Sequence, residues 1–384
     1  MKFKITAITA FLNEERYLAE AIDSLLAQSI GFEENVQLVL INDGSTDNSR
    51  GICEEYVSRF PDNITLINKE NSGVSDSRNL GMNYIQGKYT VFFDGDDIWD
   101  KNAFQAIYDS FESFGDAVDT CTCRIKYIGD FKNRVYPLDY KFDKGRRITD
   151  LMKEPANIQI TIGNVVFRSE TLKGKLFDTD MTYCEDSWFA NQIIAEKAAM
   201  GIIPDAIFYY RKNQGKGNQS VRIVETRRWF FDVIQQYYFR MFNFAQERFG
   251  EIPEYFQRSI FYDIKWRKYN PAVDTILTEE DKQEHLSLLR QILEKISDDI
   301  ILQDSDINQY FKLYLLDIKY GRSVINDAEL KKSKYYFNGK KVFDLNNKSM
   351  FQIKTIMQRD DKVAMDNQPI NCHNLAHRPI KLPD

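Results

Sequence analysis

The chain has 384 residues, 43% hydrophobic and 28% charged, which is typical of a globular protein long enough for two or three domains. Its formal net charge of −6 argues against a general nucleic-acid binder, because that role needs a basic face. Five Cys give neither a disulfide framework nor a paired CxxC motif, and no apolar run approaches the length of a membrane span, so we expect a reduced, cytoplasmic protein.

The first 116 residues alternate strand and helix signals at short spacing. We predict strands over residues 3–9, 36–41, 64–67 and 89–93, and helices over residues 14–28, 45–57 and 74–85. Asn13 is placed to cap the first helix, and Ser45 or Thr46 to cap the second. This order requires right-handed crossovers, so we expect an α/β fold with a Rossmann-like, mostly parallel sheet and helices on both faces.

The rhythm changes after about residue 117, where predicted strands become isolated and connections longer. These strands cover residues 118–127, 164–168 and 202–210, and a helix is predicted over residues 186–196. We expect residues 117–222 to complete the sheet and to form the second wall of a cleft. Residues 1–222 then make one domain, whose nucleotide-binding half is about 1–116.

Two further segments follow this domain. Residues 223–330 are predicted to be an appended helical domain, since residues 229–238 place apolar side chains at i, i+3, i+4 and i+7; the alternative is a membrane-surface or oligomer contact. The tail, 331–384, holds eleven Lys and Arg against five Asp, and a hairpin signal at Asn338-Gly339. It is interpreted as a linker or the start of a further domain, or as a segment that approaches an anionic polymer or the inner membrane surface.

Acidic residues cluster where the fourth predicted strand ends, at residues 94–97 with the sequence Asp-Gly-Asp-Asp. The carboxyl end of a strand is where open α/β sheets bind ligands. Three crowded carboxylates repel one another unless a cation lies between them. Hard oxygen ligands suit Mg²⁺ or Mn²⁺, which usually share their shell with substrate phosphates. These residues therefore predict a metal-assisted site for a phosphate-bearing donor.

Five polar clusters fall at predicted strand ends or helix starts, and their order is more specific than any one of them. They are residues 9–15, Asn-Asp-Gly-Ser-Thr-Asp at 42–47, Asn-x-Gly-Val-Ser-x-x-Arg-Asn at 71–79, Asp-x-Asp-Asp at 94–97 and Glu-Asp at 185–186. Together they resemble the family 2 glycosyltransferases with the GT-A fold, which are nucleotide-sugar-dependent inverting enzymes. The resemblance covers about residues 3–220.

This resemblance implies a hexosyl- or N-acetylhexosaminyltransferase that takes a UDP-sugar donor and Mn²⁺ or Mg²⁺. Asp43 would accept the imide N–H of uracil, or else act as a cap or turn acid. Phe11 would cover the base or fill the core, and Arg78 would reach the base or the pyrophosphate. The nucleotide-sugar-binding residues implied in this way are Phe11, Asp43, Asn71, Arg78, Asp94, Gly95, Arg211 and Ser220.

The resemblance also divides the acids between metal and base. Asp96 is expected to coordinate the ion, Asp94 to contact the ribose and the metal, and Asp97 to cap a helix beginning near residue 100. Asp186 matches the family's general base, with Glu185 beside it. Adjacent carboxylates raise each other's proton affinity, which suits a base near neutral pH; the alternative is an acidic helix N-terminus. We find no second nucleophilic carboxylate, which favours inversion by single displacement.

The remaining candidates lie in the second half of the domain. Arg211 and Ser220 match a loop that closes over the diphosphate in related wall-polymer transferases, although the more frequent His-containing pattern is absent here. Arg124, Lys126 and Asn164 are candidates for contacts to the donor or acceptor sugar, with a plain strand role as the alternative.

The sequence thus predicts transfer of a sugar from a UDP-sugar to a hydroxyl of a surface glycan or polyol-phosphate polymer, of teichoic acid or capsule type. The alternative is a non-catalytic glycan- or nucleotide-binding module that retains the fold. A nucleotidyltransferase is disfavoured because it needs a glycine-rich basic loop after the first strand, where residues 10–15 are acidic and lack Gly.

Overall fold

The computed structural model describes residues 1–213, 226–267, 276–322, 324, 334–337 and 340–344. The chain divides into two compact units, residues 1–221 and 222–384. The predictions made for residues 345–384, including membrane contact by the tail, lie outside the described residues.

The first unit alternates strands and helices as predicted. Its strands are β1 Phe3–Phe11, β2 Val36–Asp43, β3 Ile64–Lys69, β4 Gly87–Phe92, β5 Ile98–Trp99, β6 Thr120–Gly129, β7 Arg147–Asp150, β8 Val165–Arg168 and β9 Ala199–Lys212. Its α-helices are α1 Leu18–Leu26, α2 Phe32–Asn35, α3 Ser49–Arg59, α4 Val74–Met82, α5 Ala103–Phe114 and α6 Glu185–Lys197. Short 3₁₀ turns cover Gly115–Ala117, Asp139–Phe142 and Ser169–Leu172.

These nine strands form one mixed sheet in the order β3-β2-β1-β4-β8-β6-β9-β5, with β7 paired to β9. The pairs among β1 to β4 are parallel, whereas β8 runs antiparallel to both β4 and β6. Strands β6 and β9 pair in parallel, with an irregularity after Cys123. The predicted α/β class is confirmed, and its parallel half is the half with the helix-rich sequence.

The core of the sheet explains its apolar sequence. Every residue of β2 is buried, as expected for a strand covered on both faces. Four aromatic rings pack together between β4, β8 and α6: Phe92, Phe167, Phe177 and Phe189. Such ring pairs add about 0.5–1.5 kcal/mol each beyond area burial, and here they hold α6 against the middle of the sheet.

The predicted helix caps are wrong. Helix α1 begins at Leu18, later than expected, and Asn13 has a left-handed φ of 58°. The Asn13 Oδ1 accepts the N–H of Thr46 at 2.8 Å, and the N–H of Asn13 donates to the hydroxyl of Ser45 at 3.0 Å. These side chains therefore form hydrogen bonds between two loops instead of capping helices, because the loop after β1 lies beside the loop after β2.

The second unit is mostly helical where it is described. Its α-helices are α7 Arg227–Asp232, α8 Phe239–Phe249, α9 Glu254–Arg267, α10 Glu279–Leu293, α11 Asp298–Gln303 and α12 Gln309–Tyr320. A π-helical turn, Val233–Tyr238, joins the first two of these. Among the described residues, no helix has both the length and the apolar character needed to cross a membrane.

Specific polar contacts order this unit. The ammonium group of Lys265 donates to Asp304 at 2.8 Å and to Asp306 at 2.6 Å. Thr278 and Asp281 form a capping box at the start of α10, which satisfies donors at that helix end. The two arms of the predicted hairpin are the antiparallel strands β10 Lys334–Phe337 and β11 Lys340–Asp344, whereas its Asn338-Gly339 turn lies outside the described residues.

Candidate active site

The segments that follow β1 and β4 meet at the carboxyl end of the sheet. Gly95 packs so closely there that an added Cβ would lie 3.3 Å from Phe11 Cβ, 3.3 Å from Leu18 Cδ1 and 3.4 Å from Glu14 Cβ. A larger residue would therefore push the acidic loop away from the segment after β1. This close packing explains why a glycine occupies the middle of the Asp-Gly-Asp run.

The three acids of this loop have different surroundings. The Asp94 side chain is 53% exposed, whereas burial, followed by the charge of Asp94, raises the pKa of Asp96 to about 6. Asp97 is buried, and its carboxylate accepts the N–H of Arg211 at 2.8 Å. The predicted cap role of Asp97 is wrong, because helix α5 begins at Ala103 and Asp97 fixes the end of β9 instead.

Glu14 is a further acid at this edge that our sequence analysis did not single out. Burial, followed by the charges of Asp96 and Asp94, raises the pKa of Glu14 to about 7. Its N–H donates to the hydroxyl of Ser49 at 2.8 Å, which fixes the backbone there. Three carboxylates thus share one partly buried region, and a positive charge among them would relieve their repulsion.

Arg78 connects the acidic loop to the start of α6. It is 7% exposed, and its two terminal nitrogens lie 3.2 Å from Asp94 Oδ1 and 3.2 Å from Glu185 Oε1. Its guanidinium carbon lies 5.5 Å from the centre of the Phe177 ring. Burial alone would lower the pKa of Arg78, but Asp94 and Glu185 raise it above its usual value, so this cation stays charged. The residues predicted as donor site and as base motif therefore share one cluster.

Glu185 and Asp186 open helix α6, preceded by Cys184 with a left-handed φ of 61°. Burial, followed by the charge of Asp186, raises the pKa of Glu185 to about 7, against the opposing effect of Arg78. The Asp186 carboxylate accepts the N–H of Ile162 at 3.2 Å and that of Ser187 at 2.7 Å. Burial also raises the pKa of Asp186, although Arg78 and these two N–H groups oppose it.

A buried polar network supports the loop that contacts Asp186. The Lys141 ammonium donates to Gln159 Oε1 at 2.9 Å, and Gln159 Nε2 donates to Asn164 Oδ1 at 2.8 Å. Asn191, from α6, donates to the Gln159 carbonyl at 2.9 Å. Asn164 is fully buried and donates to the Cys123 carbonyl at 2.6 Å, so this candidate sugar contact faces the core. The network connects the segment that contacts Asp186 to β6.

Asp43 ends β2 and is almost fully engaged by its own chain. Its carboxylate accepts the N–H of Ser72 at 3.0 Å and that of Gly73 at 2.9 Å, and it pairs with the Lys69 ammonium at 2.5 Å. Burial would raise the pKa of Asp43, but Lys69 and the two N–H groups hold it below its usual value. Asp43 is thus an ionised acceptor that orders the segment leading into α4.

Two glycines allow this segment to lie so close. Gly44 has φ +81°, and a Cβ there would lie 3.0 Å from the backbone nitrogen of Asn71. Gly73, with φ +97°, directly precedes α4 and presents no Cβ to the open space in front of that helix. A helix N-terminus with close backbone access favours anions, as the sequence predicted for Asn71 and Gly73.

The other predicted residues are placed as follows. Phe11 is 3% exposed, as its role as a buried ring requires. The Arg211 side chain donates to the Asp96 carbonyl at 2.7 Å and to Glu20 at 2.6 Å. Arg124 pairs with Asp139 at 3.2 Å. Ser220 lies outside the described residues, so the predicted loop over the diphosphate is represented only by its first part.

The acids can hold a divalent cation only if ligands from outside the protein complete its coordination shell. Among the described residues, no group of three or more His, Cys, Asp or Glu side chains is arranged to hold a metal ion. Asp94 and Asp96 offer carboxylate oxygens, and the raised pKa of Asp96 reflects repulsion from Asp94 after burial. Mg²⁺ and Mn²⁺ accept such incomplete protein shells when phosphates supply further ligands.

A mixed α/β sheet with acids at its carboxyl edge and a helix-borne acid pair beside them defines a glycosyltransferase domain of the GT-A kind. The profile of the family described as glycosyl transferase family 2 matches residues 6–173, so this part of the chain is a glycosyltransferase domain of that family.

Relatives and solved structures agree with this family. The minor teichoic acid biosynthesis proteins GgaB and GgaA of Bacillus subtilis (strain 168) are each 29% identical, over 95% and 81% of this chain. The matched region spans 41% of GgaB and 70% of GgaA. The crystal structure of S. aureus TarS 1-349 in complex with UDP-GlcNAc shares the fold, with a TM-score of 0.65 and 16% identity over 83% of this chain and 88% of that one.

Proposed function

We propose that this chain moves a sugar from a UDP-sugar to a hydroxyl of a cell-surface polysaccharide of teichoic acid or capsule type, with inversion. The single observation that carries this proposal is the bridge from Asp94 through Arg78 to Glu185. It brings the donor motif and the base motif, far apart in sequence, to one cluster at the sheet edge.

The donor would lie across the ends of β1, β2 and β4. Asp43, already ionised, would accept from the uracil imide with its remaining lone pairs, beside the Asn71 backbone and the start of α4. Asp94 and Asp96 would hold Mn²⁺ or Mg²⁺ together with the donor diphosphate. When bound, such an ion supplies Lewis-acid stabilisation of the departing diphosphate, worth several kcal/mol. Arg78 stays charged at this place and adds to the attraction for the donor.

Asp186 would take the proton of the incoming hydroxyl. A neutral alcohol is a poor nucleophile, and a positioned base contributes typically 10²–10⁴-fold. The N–H groups of Ile162 and Ser187 orient this carboxylate, and burial raises its pKa, which increases its basicity. Arg78 holds Glu185 beside it, which limits the repulsion between the two acids.

The donor and acceptor classes draw on the relatives as well as on the site. GgaB and GgaA are teichoic acid biosynthesis proteins, and TarS 1-349 is described with UDP-GlcNAc. We infer that this chain uses a UDP-sugar and an acceptor of the same chemical kind, a glycan or polyol-phosphate polymer. The motif order and the cluster around Arg78 support this inference.

A donor screen tests the proposal. Purified chain is incubated with Mn²⁺, a panel of UDP-sugars and candidate acceptors, and UDP release is measured, followed by mass analysis of the product. We expect one donor to give acceptor-dependent UDP release and a product with inverted anomeric configuration. Binding of UDP without turnover of any donor would identify a non-catalytic module instead.

A further inference from the structure

A cluster of aromatic rings lies at the end of β6 and β9. Its members, which we call the ring cluster, are Tyr127, Phe131, Tyr136 and Tyr210. The Tyr127 ring centre is 6.3 Å from that of Phe131, 5.9 Å from that of Tyr136 and 6.0 Å from that of Tyr210. Tyr127 and Tyr210 are register partners in the parallel pair. Tyr136 is buried, whereas Tyr127, Phe131 and Tyr210 are partly exposed, and such rings offer flat apolar faces to a sugar or polyol.

Two cations extend over this cluster. Arg134 lies 4.6 Å from the centre of the Phe131 ring, and the Lys212 ammonium lies 5.3 Å from the same centre and 5.9 Å from that of Tyr127. Both residues are exposed. Among the described residues, neither cation forms an ion pair with a carboxylate. Both cations therefore lie over the Phe131 ring without a paired carboxylate among the residues that the structure describes.

The two neighbouring cations, Arg134 and Lys212, favour the binding of an anion. The repulsion between two adjacent cations is relieved when a negative charge lies between them. The chain as a whole carries −6, so the local positive charge is not a general property of the surface. A ligand that combines a polyol or sugar with a phosphate matches both the rings and the cations.

The ring cluster is connected through β9 to the loop that contacts the proposed base, Asp186. Gly163, next to Ile162 whose N–H binds Asp186, packs on Phe208, where an added Cβ would lie 3.0 Å from the ring. Side chains two residues apart in a strand share a face, so Phe208, Tyr210 and Lys212 follow one another along β9 at about 7 Å per step. Phe208 is buried, so a ligand can contact this face only at Tyr210 and Lys212, while the loop that contacts Asp186 packs on the buried part of the same face.

We propose that the ring cluster together with Arg134 and Lys212 is the acceptor subsite for a phosphate-bearing polyol or sugar chain. A polyol or sugar unit packs on the rings, and the phosphate next to the accepting unit lies between the two cations. This inference rests on the proposed function for its link to transfer, while its binding claim stands on the surface itself.

The test is a binding titration with a polyol-phosphate oligomer of about six units and, in parallel, an uncharged polyol oligomer of equal length. The variant is Arg134→Gln combined with Lys212→Gln, and the matched control is Lys4→Gln, which removes a lysine 4.6 Å from the Tyr108 ring centre at the start of β1. We expect the double variant to bind the phosphate oligomer at least about tenfold more weakly, with UDP binding unchanged, and the control to match the wild type. Added salt should weaken wild-type binding more than binding by the double variant.

Equal affinity of wild type and double variant for the phosphate oligomer would overturn the inference, as would equally tight binding of the uncharged oligomer to the wild type. Phe131→Leu provides a second check, because it removes the shared ring and keeps both cations. It should weaken binding of the phosphate oligomer, and unchanged affinity would count against the ring contact. Loss of UDP release with every donor, with oligomer binding intact, would refute the proposed function and leave the anion-binding surface in place.

Discussion

Arg78 and Glu185 are 107 positions apart in the chain, and their side chains pair at 3.2 Å at the edge of the sheet. The arginine belongs to α4 and the glutamate opens α6, so this pair joins the two halves of the first unit. Because the cation also contacts Asp94, it sets the charge balance for both groups of acids. Its removal tests how far the halves depend on it.

Arg78→Met should leave Glu185 buried without its partner. Breaking a buried pair by removing one member typically costs 3–5 kcal/mol, and the exposure of Asp94 places this case near about 3 kcal/mol. The pKa of Glu185 should rise further, since Arg78 now opposes its upward shift. Denaturant unfolding at pH 7.5 measures the cost. Arg50→Met, which removes an exposed pair with Glu54, should cost under about 1 kcal/mol, and equal losses would show that the bridge is not special.

Asp186→Asn should lower the rate of acceptor-dependent UDP release by about 10²–10⁴-fold, with little change in the KM for donor. The amide oxygen can still accept from the Ile162 N–H, so the fold should be retained. Initial rates over a donor series measure the effect. Glu196→Gln alters an exposed acid on the same helix and should leave the rate unchanged. A wild-type rate for the Asp186 variant would assign the base elsewhere.

The stability of the metal-free protein should fall as pH rises from 5 to 7. The pKa of Glu14 and of Glu185 is raised to about 7, and that of Asp96 to about 6. The folded state therefore holds protons that the unfolded state has released, so these groups destabilise the fold as they ionise. Thermal unfolding at half-unit pH steps measures this slope.

Glu14→Gln should flatten that slope and raise the Tm at pH 8 by about 3 °C, which corresponds to roughly 1 kcal/mol. The exposed Glu55→Gln is the control and should leave the slope as it is in the wild type. Stability that increases with pH across this window, in the wild type, would contradict the assigned shifts.

Asp96→Ala should abolish the part of UDP binding that depends on Mn²⁺. Asp94 alone retains one carboxylate, too few protein ligands for a cation that already takes part of its shell from phosphates. Calorimetric titration with UDP, with and without Mn²⁺, measures the difference. Asp109→Ala removes an exposed acid on α5 that bonds only Gln105 in the described contacts and should titrate like the wild type. Identical heats for the Asp96 variant would remove it from the metal site.

Strand and helix positions in the first half were predictable because hydrophobic periodicity is a local signal. Strand β2 is the clearest example, since its continuous apolar run matched a strand buried on both faces. Capping was predicted poorly, because Asn13 and Ser45 bind partners on each other's loops, and that contact depends on how β1 and β2 pair. The short strands β5 and β7 were not predicted, because they form by pairing with β9 and such pairing leaves no local signal in the sequence.

The residues of the candidate site were likewise predicted where the signal is local and missed where it depends on tertiary contacts. The acids of residues 94–97 and 185–186 were found from motif order, but their connection through Arg78 was not, since it depends on contacts between residues far apart in the sequence. Glu14 belongs to the first motif, but the sequence does not show that it lies near Asp96. The structure does, because Glu14 packs against Gly95 and the charge of Asp96 raises its pKa. The burial of Lys141 had no sequence signal, because isolated lysines are usually exposed.

Strand β9 has consequences for how such enzymes diversify. On one side, Arg211 is held by the acidic loop; on the other, Tyr210 and Lys212 face the ring cluster. Since neighbouring residues point in opposite directions, mutations at alternate positions are separated in their effects. Changes at Lys212 can therefore alter the proposed acceptor surface while the contacts of Arg211 with the acidic loop stay as they are.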